Sequence, residues 1–388
     1  MKEKQIIDNI DRNQIVEILG NLVRINSVNP PGNERKVVDK IIEYLPKNIS
    51  YKIIDHGNNR ASLIVDYPGN SEEYLAFVGH IDTVPVSDSE YWDHNPHEGK
   101  LVDGYIYGRG SADMKGGVSA MIGTLLYLNS FNIEPPIGIR FLFTADEESD
   151  GMGIKEIVKQ KYFDDVVEFI IPEPSNEKIG LSEKGALWVK LKVSGKESHA
   201  SKPNLGINAI EYAMTIIDKL KDSIDFKIMD HRLGNTTFSL TSFNGGVKTN
   251  IIPSNAEATL DIRTVPGVYH DEIIQELDSI IRDVVELEQE LSVDVSIINN
   301  RPAIKIEKEE KLISGLVKSF KDIGLEADYK GINFYTDASQ IVPIINIPFA
   351  ILGPGDEEMA HQRNEKIEIE SVARMIAVYV KYIQNKGG

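Results

Sequence analysis

This 388-residue sequence predicts an α/β fold with a smaller α+β domain set into it. Three observations carry that expectation. Strand-like and helix-like stretches alternate as far as Pro174. The rhythm then changes to β-α-β-β-α-β between Ala186 and Ile298, and alternation resumes from about Lys305. Alternation of the first kind builds a sheet with helices on both faces. The six-element order in the middle is the split βαβ, ferredoxin-like unit. The chain is also too long for one typical domain. We therefore expect one domain over residues 1–180 and 300–388, and an inserted one over 181–299.

In chain order, Ile15, Ile18, Leu19, Leu22 and Val23 recur at helical spacing, and a second amphipathic helix spans about Glu34 to Leu45. Asn29-Pro30-Pro31-Gly32-Asn33 is the loop between them. Strands are expected near Tyr51–Ile54, Ser62–Tyr67 and Leu75–Val78, followed by a polar, aromatic-rich loop from Ser87 to Gly99. A helix over Met114–Leu128, a strand over Ile139–Thr144, a helix near Ile154–Gln160 and a strand over Val166–Ile171 follow. The inserted domain reads as strand Ala186–Val193, helix Gly206–Leu220, strands Thr237–Phe243 and Ala256–Arg263, helix Asp271–Leu287 and strand Val293–Ile298. Helix Glu309–Ile323, strand Pro348–Leu352 and helix Ile369–Gln384 complete the chain.

Composition narrows the function. A formal charge of −18 disfavours nucleic acid or an anionic membrane surface as the main partner. With no cysteine, disulfides and thiolate metal sites are excluded, so a metal site must use His, Asp and Glu. The stretch Met1–Gln14 is charged and carries no apolar signal-peptide core. No apolar run is long enough to span a bilayer, and the cytoplasm is the simplest expectation.

The chemistry begins at Leu75–Pro85, L-A-F-V-G-H-I-D-T-V-P. A buried strand here would bring His80 and Asp82, two residues apart, to one side of its C-terminal end. Open α/β sheets bind ligands at that end, and a carboxylate beside a ligating imidazole fixes its tautomer. Four further motifs sit at strand ends or in loops. Gly108-Arg109-Gly110-Ser111-Ala112-Asp113-Met114-Lys115-Gly116-Gly117 places one acid, Asp113, in a glycine-rich loop just before a helix; a phosphate cradle or a helix N-cap are the other readings of it. Thr144-Ala145-Asp146-Glu147-Glu148 places two glutamates at a strand tip, one suited to be a base and one a ligand. Pro172-Glu173-Pro174 aims a single acid, and Gly353-Pro354-Gly355 precedes Ala360-His361. The thiol-free set His80, Asp113, Glu148, Glu173 and His361 is what two divalent cations about 4 Å apart require, with one carboxylate shared.

With these motifs in this order, nearly the whole chain resembles the M20 metallopeptidases and amidohydrolases, among them acetylornithine deacetylase and succinyl-diaminopimelate desuccinylase. The resemblance implies a mixed-sheet zinc-hydrolase domain with an inserted dimerisation domain. It implies two zinc ions per subunit: His80 and Glu173 on one, Glu148 and His361 on the other, and Asp113 bridging. Cobalt or manganese suits the same ligands. Asp82 would orient His80, Glu147 would be the general base, and the peptide bond after Asp113 would be cis. Ser198-His199-Ala200-Ser201 matches a family segment whose histidine polarises the scissile carbonyl in a partner subunit. Gly245-Gly246, Asn250, Pro253, Ala256, Asp261 and Arg263 match a segment whose Asn and Arg hold substrate oxygens, and Arg suits a carboxylate through its planar fork. The backbone of Gly353, Pro354 and Gly355 would join them. Arg263 has a bland reading too, as an in-strand partner of Asp261. Thr336 and Asp337 fall in a segment that borders the family's site.

The expected activity is hydrolysis of the amide of an N-acyl amino acid by a homodimer. Dipeptidase or carboxypeptidase action is the alternative, and a non-catalytic metal-binding protein or a phosphate-ester hydrolase ranks lower. The remaining histidines read as structural or solvated: His56 in a turn, His231 and His270 near helix ends, His94 and His97 in the polar loop.

Overall fold

The computed structural model describes residues 5–87 and 89–386. The first four residues of the charged N-terminal stretch, and Asp88 of the polar loop, lie outside the described residues. The chain forms two compact units. One comprises Met1–Leu181, Ile306–Lys330 and Thr336–Gly388, the other Ser182–Lys305 and Gly331–Tyr335.

A mixed sheet organises the first unit. Its strands run in the order Ser50–Gly57, Arg60–Tyr67, Gly138–Thr144, Tyr74–His80, Val166–Ile171, Phe349–Ile351 and Ile179–Glu183. The first three pair antiparallel, and Tyr74–His80 is parallel to both Gly138–Thr144 and Val166–Ile171. Phe349–Ile351 is parallel to Val166–Ile171. Every residue of Gly138–Thr144 is buried, as in a strand covered on both faces. Phe77 stacks on Phe141 at 5.5 Å and meets Tyr379 of the helix Ile369–Asn385 at 5.0 Å. The helix Arg12–Arg24 starts at Asp11, whose carboxylate accepts from the backbone of Asn13 and Gln14. Four neighbouring strands are thus parallel, and their C-terminal ends share one edge of the sheet. His80 pairs with Thr144 there, and Ile351 with Ile171.

The second unit is a four-stranded antiparallel sheet in the order Thr237–Gly245, Asn255–Arg263, Ala186–Ser194, Ser292–Arg301. Alternate residues of its central strands, Ala256, Ala258, Leu260 and Ile262 with Leu187, Val189, Leu191 and Val193, share one core with the helices Ala209–Ser223 and His270–Leu287. The order and the two helices make this unit ferredoxin-like.

The structure differs from the sequence reading in places. The helix expected from Met114 begins at Gly116; Asp113 and Met114 lie in an irregular turn, Ser111–Lys115. His56 sits on the strand Ser50–Gly57, not in a turn. His231 lies between the short strands Met229–Asp230 and Gly234–Asn235, away from any helix end. Among the described residues, no helix is long and apolar enough to cross a membrane.

Candidate metal centre

The parallel strands deliver His80, Glu147, Glu148 and Glu173 to one place, because each follows or ends a strand at the shared edge. His80 Nε2 lies 3.1 Å from Asp113 Oδ1 and 3.5 Å from Glu173 Oε1. His361 Nε2 lies 3.2 Å from Asp113 Oδ2 and 3.1 Å from Glu148 Oε2. Asp113 therefore offers one oxygen to each imidazole. One ligand atom from each of His80, Asp113 and Glu148 falls within 4.8 Å of the others. The Asp113–Met114 peptide bond is cis.

Asp82 meets the His80 ring through its main chain as well as its carboxylate. The strand ends at His80, and the ring Nδ1 faces the backbone carbonyl of Asp82 at 3.1 Å. The carboxylate is farther away, at 3.6 Å. Donation from Nδ1 to that carbonyl leaves Nε2 free to ligate. The Asp82 carboxylate also accepts from the backbone N–H of Glu147 and Glu148, at 3.2 and 3.3 Å, and from the Asn29 amide at 2.9 Å. It ties the two glutamates to the strand end that carries the imidazole.

The donor set fits divalent cations. Glu148 Oε1 and Glu173 Oε2 are buried without a hydrogen-bond partner, which is costly for a carboxylate unless something positive meets it. Among the described residues, Asp113, Glu148 and Glu173 form ion pairs with these two imidazoles and with no Lys or Arg. Oxygen and imidazole ligands without sulfur suit zinc, cobalt or manganese.

Titration behaviour follows from the same crowding. Burial pushes the Glu173 carboxyl well above its usual range, and burial with the neighbouring Asp113 raises Glu148. Burial would lower His80, but Glu173, Asp113 and Asp82 outweigh it and raise the ring well above its ordinary value. Hydrogen bonds to Asp113 and Glu148 push His361 up to about 11. Burial opposes ionisation of Asp113, yet bonds from both imidazoles hold its carboxyl below the usual range. Protons on the rings thus do the neutralising that cations would do.

The other site candidates divide. His199 is exposed, with Nδ1 2.8 Å from Ser201 Oγ. It pairs with Ile251, and Ala200 N–H donates to the Asn250 carbonyl at 3.0 Å, so the second unit brings His199 and Asn250 together. Arg263 takes its bland reading: its guanidinium lies 2.8 and 3.1 Å from the two Asp261 oxygens. The loop Gly353–Gly355 corrects the sequence reading. Gly353 N–H donates to Ser175 Oγ and Gly355 N–H to Ser371 Oγ, both at 3.0 Å. Pro354 has no N–H, so these three residues have no backbone donor left for a substrate. Asp337 accepts from Thr144 Oγ1 at 2.7 Å, just before the acidic turn.

Sequence reasoning missed Asn29, Asp146 and Glu365. Asn29 also donates to Asp146 at 2.8 Å, and Asp146 meets Arg60, itself paired with buried Glu34. Only the cis prolines that follow Asn29 set that loop apart.

Comparison with known proteins bears on the family and the fold. The chain is 30% identical, over 96% of its length and 98% of the other, to a protein of Staphylococcus aureus (strain MSSA476) named probable succinyl-diaminopimelate desuccinylase. Its fold matches that of aminopeptidase PepT from Bacillus cereus at a TM-score of 0.78, with 21% identity, 98% of this chain and 100% of that one covered. It also matches Bacillus subtilis YXEP protein, described as a dinuclear metal binding peptidase from the M20 family, at a TM-score of 0.72 with 16% identity, covering 97% and 98%. The sequence profile of peptidase family M20/M25/M40 fits residues 76–385, and the chain belongs to that family.

Proposed function

We propose that this protein is a two-metal amide hydrolase that removes the acyl group from an N-acyl amino acid. The observation that carries the reading is Asp113, whose two oxygens face His80 and His361 at 3.1 and 3.2 Å. His80 and Glu173 would hold one cation, Glu148 and His361 the other, and Asp113 both. Such cations supply Lewis acidity, polarising the amide carbonyl and acidifying water. Glu147 is buried, and its backbone is fixed by Asp82. It would take the proton from water and hand it to the departing amine.

His199 and Asn250 would meet substrate, His199 in the metal centre of a second copy. Arg263 would reach the substrate carboxylate only by leaving Asp261. A homodimer through the second unit is supported by the outer strand Thr237–Gly245, T-F-S-L-T-S-F-N-G, nine residues without a charge. Monomers usually blunt such an edge with charged side chains.

The acyl group is read from the Staphylococcus aureus relative, whose name, probable succinyl-diaminopimelate desuccinylase, specifies a succinyl group. The test is a panel of N-succinyl, N-acetyl and dipeptide substrates, assayed with zinc, cobalt and manganese. Cleavage of N-acyl amino acids well above dipeptides is expected. Preference for dipeptides would move the protein to the peptidase reading, and metal binding without any amide cleavage would make it a binding protein.

A further inference from the structure

We propose that Glu365 is a positioning residue for the metal centre: its carboxylate fills the glycine-rich loop and fixes both Asp113 and His361. The carboxylate is fully buried and takes four donors, all from residues 109–113. Its Oε2 accepts from Arg109 Nη1 at 2.6 Å and Gly110 N–H at 3.0 Å. Its Oε1 accepts from Ala112 N–H at 2.8 Å and Asp113 N–H at 3.1 Å. Gly110 has φ +80°, a left-handed conformation that glycine adopts freely, and the loop turns its N–H groups onto one point. Loops of this kind bind anions. Here the anion is the protein's own, which leaves no room for the phosphate reading of the loop.

The clamp works in both directions. Gly108 N–H donates to the Glu365 carbonyl at 2.9 Å, while Arg109 reaches the carbonyls of His361 and Gln362 at 3.4 and 3.3 Å. His361 itself is exposed and sits at φ 62°, its ring nitrogen near Asp113 and Glu148 and its main chain within reach of Arg109. Its main chain is tied to the glycine-rich loop by the segment that ends in Glu365. One buried carboxylate thus joins the residue that would bridge the cations to the imidazole on the far side of the bridge. Groups that orient ligands in this way are worth about 10- to 100-fold in metal affinity.

The test is Glu365→Gln in the full chain, which keeps the shape but turns an N–H group toward backbone donors. Cation affinity is measured by competition with a chromophoric chelator, and ligand geometry from the absorption spectrum of cobalt-loaded protein. We expect a cooperatively folded variant whose weaker site binds zinc about 10- to 100-fold less tightly, with an altered cobalt spectrum. Glu177→Gln, which breaks the Arg374 pair elsewhere, controls for simple loss of an ion pair and should leave both readouts unchanged. Wild-type affinity and spectrum in Glu365→Gln would overturn the proposal. If that variant does not fold, Arg109→Lys carries the test, since it keeps the backbone bonds to Glu365 and cuts those to the carbonyls of His361 and Gln362. Weaker binding supports the clamp and unchanged binding overturns it. The inference rests on the metal-centre reading. Wild-type protein that bound no divalent cation would sink that reading itself, whereas a metal-binding wild type with an unaffected variant sinks only this one.

Discussion

The Asn29 side-chain nitrogen lies 2.9 Å from Asp82 Oδ2, in a position where both groups are buried. The same nitrogen lies 2.8 Å from Asp146 Oδ1. A neutral amide with two N–H groups therefore separates two carboxylates that would otherwise repel. Asn29→Ala takes one donor from each oxygen, leaving Asp82 Oδ2 with the Glu148 N–H at 3.3 Å and Asp146 Oδ1 with Arg60 at 2.8 Å, at a cost of about 1 kcal/mol. Asn29→Asp should cost more, because it adds a third carboxylate. Urea denaturation of the three proteins checks this order. Equal stability of wild type and Asn29→Ala would show that the bridge contributes nothing.

Glu147 is predicted to act on protons and not on cations. Glu147→Ala should retain the metal content of wild type and lose about 10²–10⁴-fold in kcat. Metal analysis beside a turnover assay separates the two roles. A variant that kept near-normal turnover would remove Glu147 from the base role, and one that lost its metal would make it a ligand.

Protons compete with cations at this centre, and the sign follows from the shifts. In metal-free protein hydrogen bonds to Asp113 and Glu148 push His361 up to about 11, and Glu173, Asp113 and Asp82 raise His80 despite its burial, so the site favours protons on both rings. Cations must displace those protons. Calorimetry in buffers of different ionisation enthalpy should therefore show proton release on binding, and affinity should rise with pH. The metal-free fold should respond oppositely. A ring whose folded value is raised stabilises fully below its unfolded value, about 6.5, and that contribution fades as pH rises toward 11. Metal-free protein should lose stability across that window, and loaded protein should lose less. Identical pH profiles for the two forms would contradict this.

Much of this centre was legible in the sequence because strands end where ligands begin. His80 ends a largely apolar strand, Glu148 and Glu173 come shortly after two others, and the parallel pairing gathers the ends of those strands. Glu365 was not legible. Its role is defined by backbone donors more than 250 positions away, and nothing in its neighbours marks a carboxylate that caps a distant loop. Asp82 was legible by its two-residue spacing from His80, but not the share of its main chain, which faces the ring at 3.1 Å because the strand stops at His80. The substrate role of Gly353–Gly355 failed for a similar reason, since the hydroxyls of Ser175 and Ser371 that consume its donors are remote in sequence. The piece Gly331–Tyr335 belongs to the second unit although no change of pattern marks it.

The uncharged edge strand gives the last prediction. Thr237–Gly245 pairs with Asn255–Arg263 on one side, and Leu240 in its middle is 47% exposed. An unpaired row of backbone groups beside exposed apolar surface invites another strand. Lysine at Ser239 and Thr241 together should block such pairing, since charge on an edge opposes strand addition. The double variant is expected to run as a monomer by light scattering, with metal content unchanged. If His199 serves a second copy, turnover should fall with dissociation and KM should rise less than kcat drops. A wild type that is already monomeric would end the dimer reading. A monomeric variant with full activity would instead keep the dimer and remove His199 from the chemistry.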